Sequence, residues 1–203
     1  INDLVSDEDD VLNQRGLVFA TFRILPDAHI LPLTRKPPSL MIVRDPRDIM
    51  TSRYFSAKHS HHIPQQGPIG EEMSAERAEL QHLEIDDYVI AAAPKVLAEM
   101  ERLMFVENLV EPRLLRYEDF IYRKQKLVRV VRNNLEAQVT EEQIIAIAQE
   151  QNRIPREEKP KAHVRQVHPG DHLQKLKPAT ISKLNEIFAG PMARWNYPAS
   201  APR

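Results

Sequence analysis

The 203-residue sequence contains no cysteine, which excludes disulfide bonds and thiolate metal sites. A chain without cysteine suits a reducing compartment, and we predict a cytoplasmic protein. The sequence also lacks a large excess of either charge, since 28 basic and 29 acidic residues give a net charge of -1. Because no broad basic surface is implied, we do not expect nucleic acid as a partner.

Long hydrophobic runs and clustered glycines are missing as well. The longest apolar runs, such as residues 17–20 and 40–43, are far too short to cross a bilayer. The acidic start of the chain does not resemble a signal peptide. Only 5 glycines are present against 16 prolines, and they are scattered. A glycine-rich phosphate loop needs neighbouring glycines so that successive N–H groups converge on an anion, and the sequence contains no such loop.

Short apolar runs alternate with helical patterns along the chain. Buried strands are predicted at residues 17–20, 40–43 and 112–117. Helices are predicted over about 46–58, over 71–110 with a break near 83–84, after a capping box at 140–143, and over about 178–188. This alternation predicts an α/β sheet with crossover connections in one domain, residues 1–203. Residues 1–16 and 198–203 are expected to be peripheral or disordered.

Charged residues follow the run at 40–43 directly. Arg44 stands at the strand end and offers a planar, permanently charged fork that suits a phosphate. Ser52, on the helix that follows, can donate its hydroxyl to the same anion. Asp45 and Asp48 favour the start of this helix and can hold Arg44 or Arg47 in place. The alternative interpretation is a salt-bridge cluster at a helix cap without a ligand.

A second polar cluster, residues 117–119, also begins where a predicted strand ends. Ligands of parallel sheets bind at the carboxyl ends of the strands, so the two clusters predict one site. For Tyr117 the alternative is a half-buried aromatic side chain at a strand end.

The stretch from 40 to 55, Leu-Met-Ile-Val-Arg-Asp-Pro-Arg-Asp-Ile-Met-Thr-Ser-Arg-Tyr-Phe, resembles the 3′-phosphate motif of sulfotransferases that use 3′-phosphoadenosine 5′-phosphosulfate (PAPS). The resemblance implies that Arg44 and Ser52 bind the nucleotide 3′-phosphate. Two further segments follow in the family's order. Tyr-Glu-Asp at 117–119 implies that Tyr117 lies beside the adenine, and residues 164–171 imply that Arg165 is a second 3′-phosphate ligand. In this last segment and just after it, Gln166, Val167 and His172 stand where the family has Lys, Gly and Trp.

The resemblance extends over about residues 17–197 and implies a fold, a reaction and a co-substrate. The implied fold is a three-layer parallel sheet with helices on both faces, of the P-loop nucleoside triphosphate hydrolase type and N-terminally incomplete. The implied reaction moves a sulfuryl group from PAPS, without a metal, to a hydroxyl on a carbohydrate or small-molecule acceptor. The family's 5′-phosphosulfate loop would precede Ile1. The sequence also allows a homo-oligomer.

The position of the family's general base is occupied by a different residue in this sequence. Phe22 stands where the family places a catalytic His, and Phe cannot take a proton. His29 lies on the same loop and is the candidate base, with Asp27 as the alternative. His59, His61 and His62 have no partner motif for zinc, so we predict a wall or gate of the acceptor site rather than a metal site.

Two other functions compete with an active sulfotransferase. A catalytically inactive relative would retain nucleotide binding or serve as an interaction module, which agrees with the missing 5′ loop and with Phe22. A kinase-like phosphoryl transferase would need a Gly-x-x-x-x-Gly-Lys-Ser/Thr sequence, and this chain has none.

Overall fold

The computed structural model describes residues 38–162 and 164–199, and in this part the chain is mostly helical. The predicted strand at 17–20, together with Phe22, Asp27 and His29, lies outside the described residues. The elements run in the order β1 (Leu40–Val43), α1 (Pro46–Phe55), a π-helical turn (Ser56–Ser60), α2 (Pro68–Leu80), α3 (Ile85–Val110), β2 (Arg113–Arg116), α4 (Tyr117–Phe120), α5 (Lys124–Leu135), α6 (Glu141–Glu150), α7 (His172–Lys175), α8 (Pro178–Ile187) and α9 (Ala189–Arg194).

The two strands of the described residues form one parallel pair, in which Leu40 lies opposite Arg113 and Val43 opposite Arg116. The prediction of a three-layer parallel sheet covered by helices on both faces is therefore wrong. Two strands of four residues are too few for such a sheet. Ile42 of β1 also remains 61% exposed, whereas a covering helix layer would bury it.

The local signals that surround the strands are confirmed. β1 coincides with the apolar run predicted at 40–43, and β2 lies within the run predicted at 112–117. The helix predicted from residue 46 begins there, with Asp45 as its N-cap and Pro46 in its first turn. It ends at Phe55 and continues as the π-helical turn, in which the His61 N–H donates to the Ser56 carbonyl at 2.7 Å.

The longer helical patterns are confirmed in the same way. The predicted break near 83–84 separates α2 from α3, and Thr140 and Gln143 form the predicted capping box at the start of α6. The last predicted helix, over about 178–188, corresponds to α8, and α9 follows it where no helix was predicted. None of the described helices combines the length and the apolar composition that crossing a membrane requires.

One hydrophobic core joins α1 and the strands to α3, α8 and α9. Its fully buried members include Met50, Val89, Ala93, Leu184 and Phe188. The indole of Trp195 closes the far end and donates its Nε1–H to Glu107 at 2.9 Å. One face of α1 therefore packs on the core. Polar groups of α1 and its N-cap contact the segment after β2 and the segment before α7. The α5–α6 hairpin packs mainly on itself and on α4.

Candidate functional site

The candidate site begins at the Arg-Asp-Pro-Arg turn between β1 and α1. The carboxylate of Asp45 caps α1 by accepting from the backbone N–H of Arg47 at 2.9 Å. It also accepts from the Arg47 guanidinium at 2.9 Å and 2.6 Å. Both side chains are buried, so this is a bidentate, charge-assisted pair. The prediction that an aspartate holds Arg47 is thus confirmed for Asp45, and its carboxylate is committed to Arg47 rather than to Arg44.

Arg44 and Tyr117 leave the same edge of the strand pair. Because Val43 lies opposite Arg116 in the parallel register, the residues that follow the two strands emerge side by side. The Arg44 guanidinium carbon lies 4.6 Å from the centroid of the Tyr117 ring, which is cation–π geometry. Arg44 Nε is buried and has no hydrogen-bond partner within the described residues. An aromatic face therefore positions the guanidinium, and no described residue accepts a hydrogen bond from its Nε.

Tyr117 in turn reaches the segment before α7, which we call the Arg165 loop (residues 164–171). Its hydroxyl donates to the carbonyl oxygen of Val167 at 2.9 Å. Burial raises the pKa of the Tyr117 phenol, against the opposing effect of the nearby Arg44 charge. The phenol stays neutral at pH 7 and serves as a donor. One aromatic side chain thus supports Arg44 on its face and holds the Arg165 loop at its tip.

Arg165 lies at the other end of α1. Its guanidinium carbon lies 4.1 Å from the centroid of the Phe55 ring, and its terminal nitrogens contact the carboxylates of Glu158 and Asp171. The side chain is 8% exposed, so a ligand that replaced one of these carboxylates would meet a charge that is largely removed from water. Hydrogen bonds from Arg165 and from Lys175, although opposed by burial, lower the pKa of Glu158.

Ser52 lies between these two ends of α1. It follows Asp48 by four residues and precedes Phe55 by three, so all three side chains share one helical face. Asp48 accepts hydrogen bonds from the Arg165 loop and its neighbour, and Phe55 packs under Arg165 itself. Ser52 is half-buried on the face that the loop covers. Arg44 thus contacts Tyr117, and Tyr117 contacts the Arg165 loop at Val167. Arg165 itself packs on Phe55 at the other end of α1, and Ser52 lies on the α1 face between these two ends.

Two carboxylates support this arrangement through partners that the sequence did not predict. Asp48 does not hold an arginine but accepts from the N–H of Gly170 at 2.7 Å and from the N–H of His172 at 3.0 Å. Gly170 has a φ of 85°, a left-handed conformation that favours glycine. The Gly-Asp step in the Arg165 loop was visible in the sequence, but its partner was not.

Glu118 is the second of these carboxylates. It accepts from the backbone N–H of Asp45 at 2.9 Å and from the Tyr197 hydroxyl at 2.8 Å. Burial and the Glu118 charge raise the pKa of the Tyr197 phenol, which therefore remains a donor. Glu118 thus ties the turn after Arg44 to the end of the chain beyond α9. The Tyr-Glu-Asp sequence contained this residue, and only its neighbour Tyr117 had been assigned a role.

The remaining candidate residues have separate positions. His29 and Asp27, the candidates for the base, lie outside the described residues. His61 and His62 are exposed beyond the π-helical turn, and His59 lies within it. Within the described part of the chain, no group of three His, Asp or Glu side chains is placed to hold a metal ion.

Comparisons with models of protein families, with curated proteins and with solved structures found no match for this chain. The resemblance to sulfotransferases therefore remains a prediction that depends on the residues themselves.

Proposed function

We propose that the chain binds the 3′-phosphorylated end of an adenine nucleotide and acts as a PAPS-dependent sulfotransferase on a hydroxyl acceptor. In this proposal Arg44, Ser52 and Arg165 contact the 3′-phosphate, and Tyr117 lies beside the adenine. The observation that carries the proposal is the Arg44–Tyr117 pair. A guanidinium with a buried, unpartnered Nε lies against an aromatic face at the carboxyl edge of two parallel strands.

The convergence of distant segments supports the same proposal. Tyr117 follows β2, and Arg165 lies in the long connection after α6, so both are distant from Arg44 in the sequence. Tyr117 nevertheless contacts both Arg44 and the Val167 carbonyl of the Arg165 loop, and Arg165 packs on Phe55 of α1. A salt-bridge cluster at a helix cap would need none of this. Asp45 and Arg47 already form such a cluster by themselves, and Arg44 takes no part in it.

The proposed reaction is an in-line displacement at sulfur. The acceptor oxygen forms a bond to the sulfuryl sulfur as the bond from sulfur to the 5′-phosphate oxygen breaks. The products are a sulfate ester and adenosine 3′,5′-bisphosphate, and a general base takes the hydroxyl proton. We retain His29 and Asp27 as candidates for that base. The acceptor is a carbohydrate or a small molecule, and we propose the cytoplasm as the location.

Calorimetry with two nucleotides tests the binding part of the proposal. We expect adenosine 3′,5′-bisphosphate to bind more tightly than adenosine 5′-monophosphate, which lacks the 3′-phosphate. Arg44→Ala should weaken the first nucleotide by about 1.5–3 kcal/mol, the value of a charge-assisted contact, and leave the second nearly unchanged. Arg153→Ala removes an exposed arginine outside the site and serves as the control. Equal affinity for the two nucleotides would overturn the assignment.

A transfer assay then distinguishes an active sulfotransferase from a catalytically inactive relative. Release of adenosine 3′,5′-bisphosphate from PAPS, in the presence of a mixture of hydroxyl compounds, supports the enzyme. Tight binding of the nucleotide with no release under any acceptor supports the catalytically inactive relative.

A further inference from the structure

An apolar recess lies along the α5–α6 hairpin, which contributes no residue to the candidate site. Its volume is about 560 Å³. On α5 its wall consists of side chains that share one helical face, Leu127, Val128, Val131 and Leu135. Val139 from the connection and Ile147 from α6 complete the apolar lining. We call this recess the hairpin groove.

The described residues do not fill the hairpin groove. Leu135 remains 36% exposed and Ile147 40%, and the other α5 side chains of the wall are only half-buried. Among the described elements outside the hairpin, α4 alone packs extensively against it. Because removal of apolar surface from water is favourable, a segment that covered the groove would stabilise the hairpin.

The charge of α5 restricts what can cover the groove. From residue 121 to residue 135 the chain has no carboxylate but five cations, Arg123, Lys124, Lys126, Arg129 and Arg132. Glu141 of α6 pairs with Arg129 and Arg132. Lys124 lines the groove itself, and no carboxylate among the described residues pairs with it. A complementary occupant therefore combines apolar side chains with an excess of negative charge.

The sequence outside the described residues contains a stretch with this composition. Residues 3–12, Asp-Leu-Val-Ser-Asp-Glu-Asp-Asp-Val-Leu, have five carboxylates and no cation, and apolar pairs at 4–5 and 11–12 flank the acidic run. We call them the acidic segment. We propose that the acidic segment docks in the hairpin groove of its own chain, with the apolar pairs in the recess and the carboxylates toward Lys124 and the other α5 cations. This inference does not depend on the proposed function.

The connection to the described residues is long enough for this contact. Residues 13–37 separate the acidic segment from residue 38. Such a connection can span up to about 80 Å when extended, and a domain of this size is only about 40 Å across. A tethered segment also binds at a high effective concentration, so weak docking is enough to fill the groove.

A second copy of the chain is a poorer occupant of the groove. A symmetric dimer through this face would place one α5 helix against another, and each carries the same five cations. Like charges at an interface disfavour association. The acidic segment brings the opposite charge together with the apolar side chains that the recess requires.

Disulfide cross-linking tests the inference on the full chain, because the sequence has no cysteine of its own. Ser6→Cys places one thiol in the acidic segment, and Gln151→Cys places the other at the groove, which Gln151 lines. The matched control is Ser6→Cys/Ser182→Cys, since Ser182 is also exposed but lies in α8, outside the hairpin. Under mild oxidation with diamide, the first pair should form an intramolecular disulfide at least about tenfold faster than the control, because docking raises the effective concentration of the thiols.

Two results of this experiment would overturn the inference. Equal rates for the two cysteine pairs would mean that the acidic segment does not dock at the groove. A disulfide-linked dimer as the main product would mean that the segment of another copy occupies it.

Charge and apolar contact are tested separately in the chain with cysteines at 6 and 151. Lys124→Glu reverses the charge at the groove and should slow intramolecular cross-linking several-fold, whereas Lys95→Glu makes the same change at an exposed position of α3 and should not. Val11→Ser/Leu12→Ser keeps every charge and should also slow the reaction, because it removes apolar side chains from the recess. If the serine variant reacts at the original rate, the segment lies on the cations alone and its place in the groove is wrong.

Discussion

Nδ1 of His172 lies 2.6 Å from Oδ1 of Asp48, although 124 positions separate the two residues in the sequence. Both side chains are buried, and the same carboxylate also accepts the backbone N–H groups of Gly170 and His172. Asp48 therefore fastens the end of the Arg165 loop to the first turn of α1. Asp48 thus helps to position the loop that carries Arg165 and the Val167 carbonyl, which accepts from the Tyr117 hydroxyl.

Asp48→Asn should destabilise the protein in a way that depends on pH. Burial alone would raise the pKa of Asp48, but the hydrogen bonds from His172 and Gly170 outweigh it and lower the pKa below the usual 3.8. A group whose pKa is lower in the folded state stabilises the protein above its unfolded-state pKa. That stabilisation is lost as the pH falls through the folded-state pKa. We expect a loss of about 1.5–3 kcal/mol at pH 7, the usual contribution of a hydrogen bond to a charged group.

Urea unfolding measured from pH 7 down to pH 3 checks this. The difference in unfolding free energy between wild type and Asp48→Asn should be full at pH 7. It should narrow below about pH 3.8, where the carboxylate takes up its proton in the unfolded chain before it does so in the folded protein. Asp119→Asn makes the same chemical change at an exposed position in α4 and should leave stability within about 0.5 kcal/mol. A gap that stays constant across the range would contradict the role assigned to the Asp48 charge.

Tyr117 is predicted to act through its ring and through its hydroxyl separately. Tyr117→Phe removes the hydrogen bond to Val167 and should weaken adenosine 3′,5′-bisphosphate by about 1 kcal/mol. Tyr117→Leu also removes the aromatic face under Arg44 and should cost about 0.5–2 kcal/mol more. In the Arg44→Ala background this second difference should shrink to the part that the contact between the ring and the adenine supplies, because the ring has no guanidinium to support. If Tyr117→Leu and Tyr117→Phe bind equally in wild-type Arg44, the ring has no part in the site.

Glu158 is predicted to compete with the nucleotide for Arg165. In the structure its carboxylate contacts Arg165 and accepts from Lys175 at 2.8 Å, so a phosphate that reaches Arg165 must displace it. Glu158→Gln removes the negative charge and should tighten adenosine 3′,5′-bisphosphate several-fold in a calorimetric titration. Glu157→Gln changes the exposed neighbour and should leave affinity as it is. Weaker binding by Glu158→Gln would mean that Glu158 orients Arg165 instead of occupying it.

The parts of the molecule that the sequence predicted correctly are local. The apolar run at 40–43, the Asp-Pro step after it and the capping box at 140–143 each involve residues within four positions, so their geometry follows from short-range sterics and hydrogen bonding. The proximity of Arg44 and Tyr117 was also predictable, from the pairing of the two strands that they follow. Residues that end neighbouring parallel strands emerge at one edge.

The errors arose where the outcome depends on distant pairing. A short apolar run predicts a strand but carries no information on how many others join it, and the two predicted runs within the described residues form only a two-stranded pair. Asp48 and His172 are single polar residues without a periodic pattern, and nothing nearby in the sequence marks them as partners. Glu118 and Tyr197 are joined across 79 positions for the same reason.

Glu136→Gly is predicted to stabilise the protein. Glu136 ends α5 with a φ of 52°, a left-handed conformation that costs an L-residue about 1–2 kcal/mol and glycine little. Its negative charge also lies at the carboxyl end of a helix, where the dipole disfavours it. Glycine loses more entropy on folding, about 0.5–1 kcal/mol, so we expect a net gain of about 0.5–1 kcal/mol in urea unfolding.

Gln138→Gly is the matched control, because Gln138 is exposed in the same connection and has no positive φ. There glycine brings the entropy cost without relieving strain, and stability should fall by about 0.5–1 kcal/mol. Both variants should bind adenosine 3′,5′-bisphosphate as wild type does, since the α5–α6 hairpin contributes no residue to the candidate site. If Glu136→Gly proves less stable than wild type, the Glu136 side chain must make a contribution that exceeds the strain of its backbone.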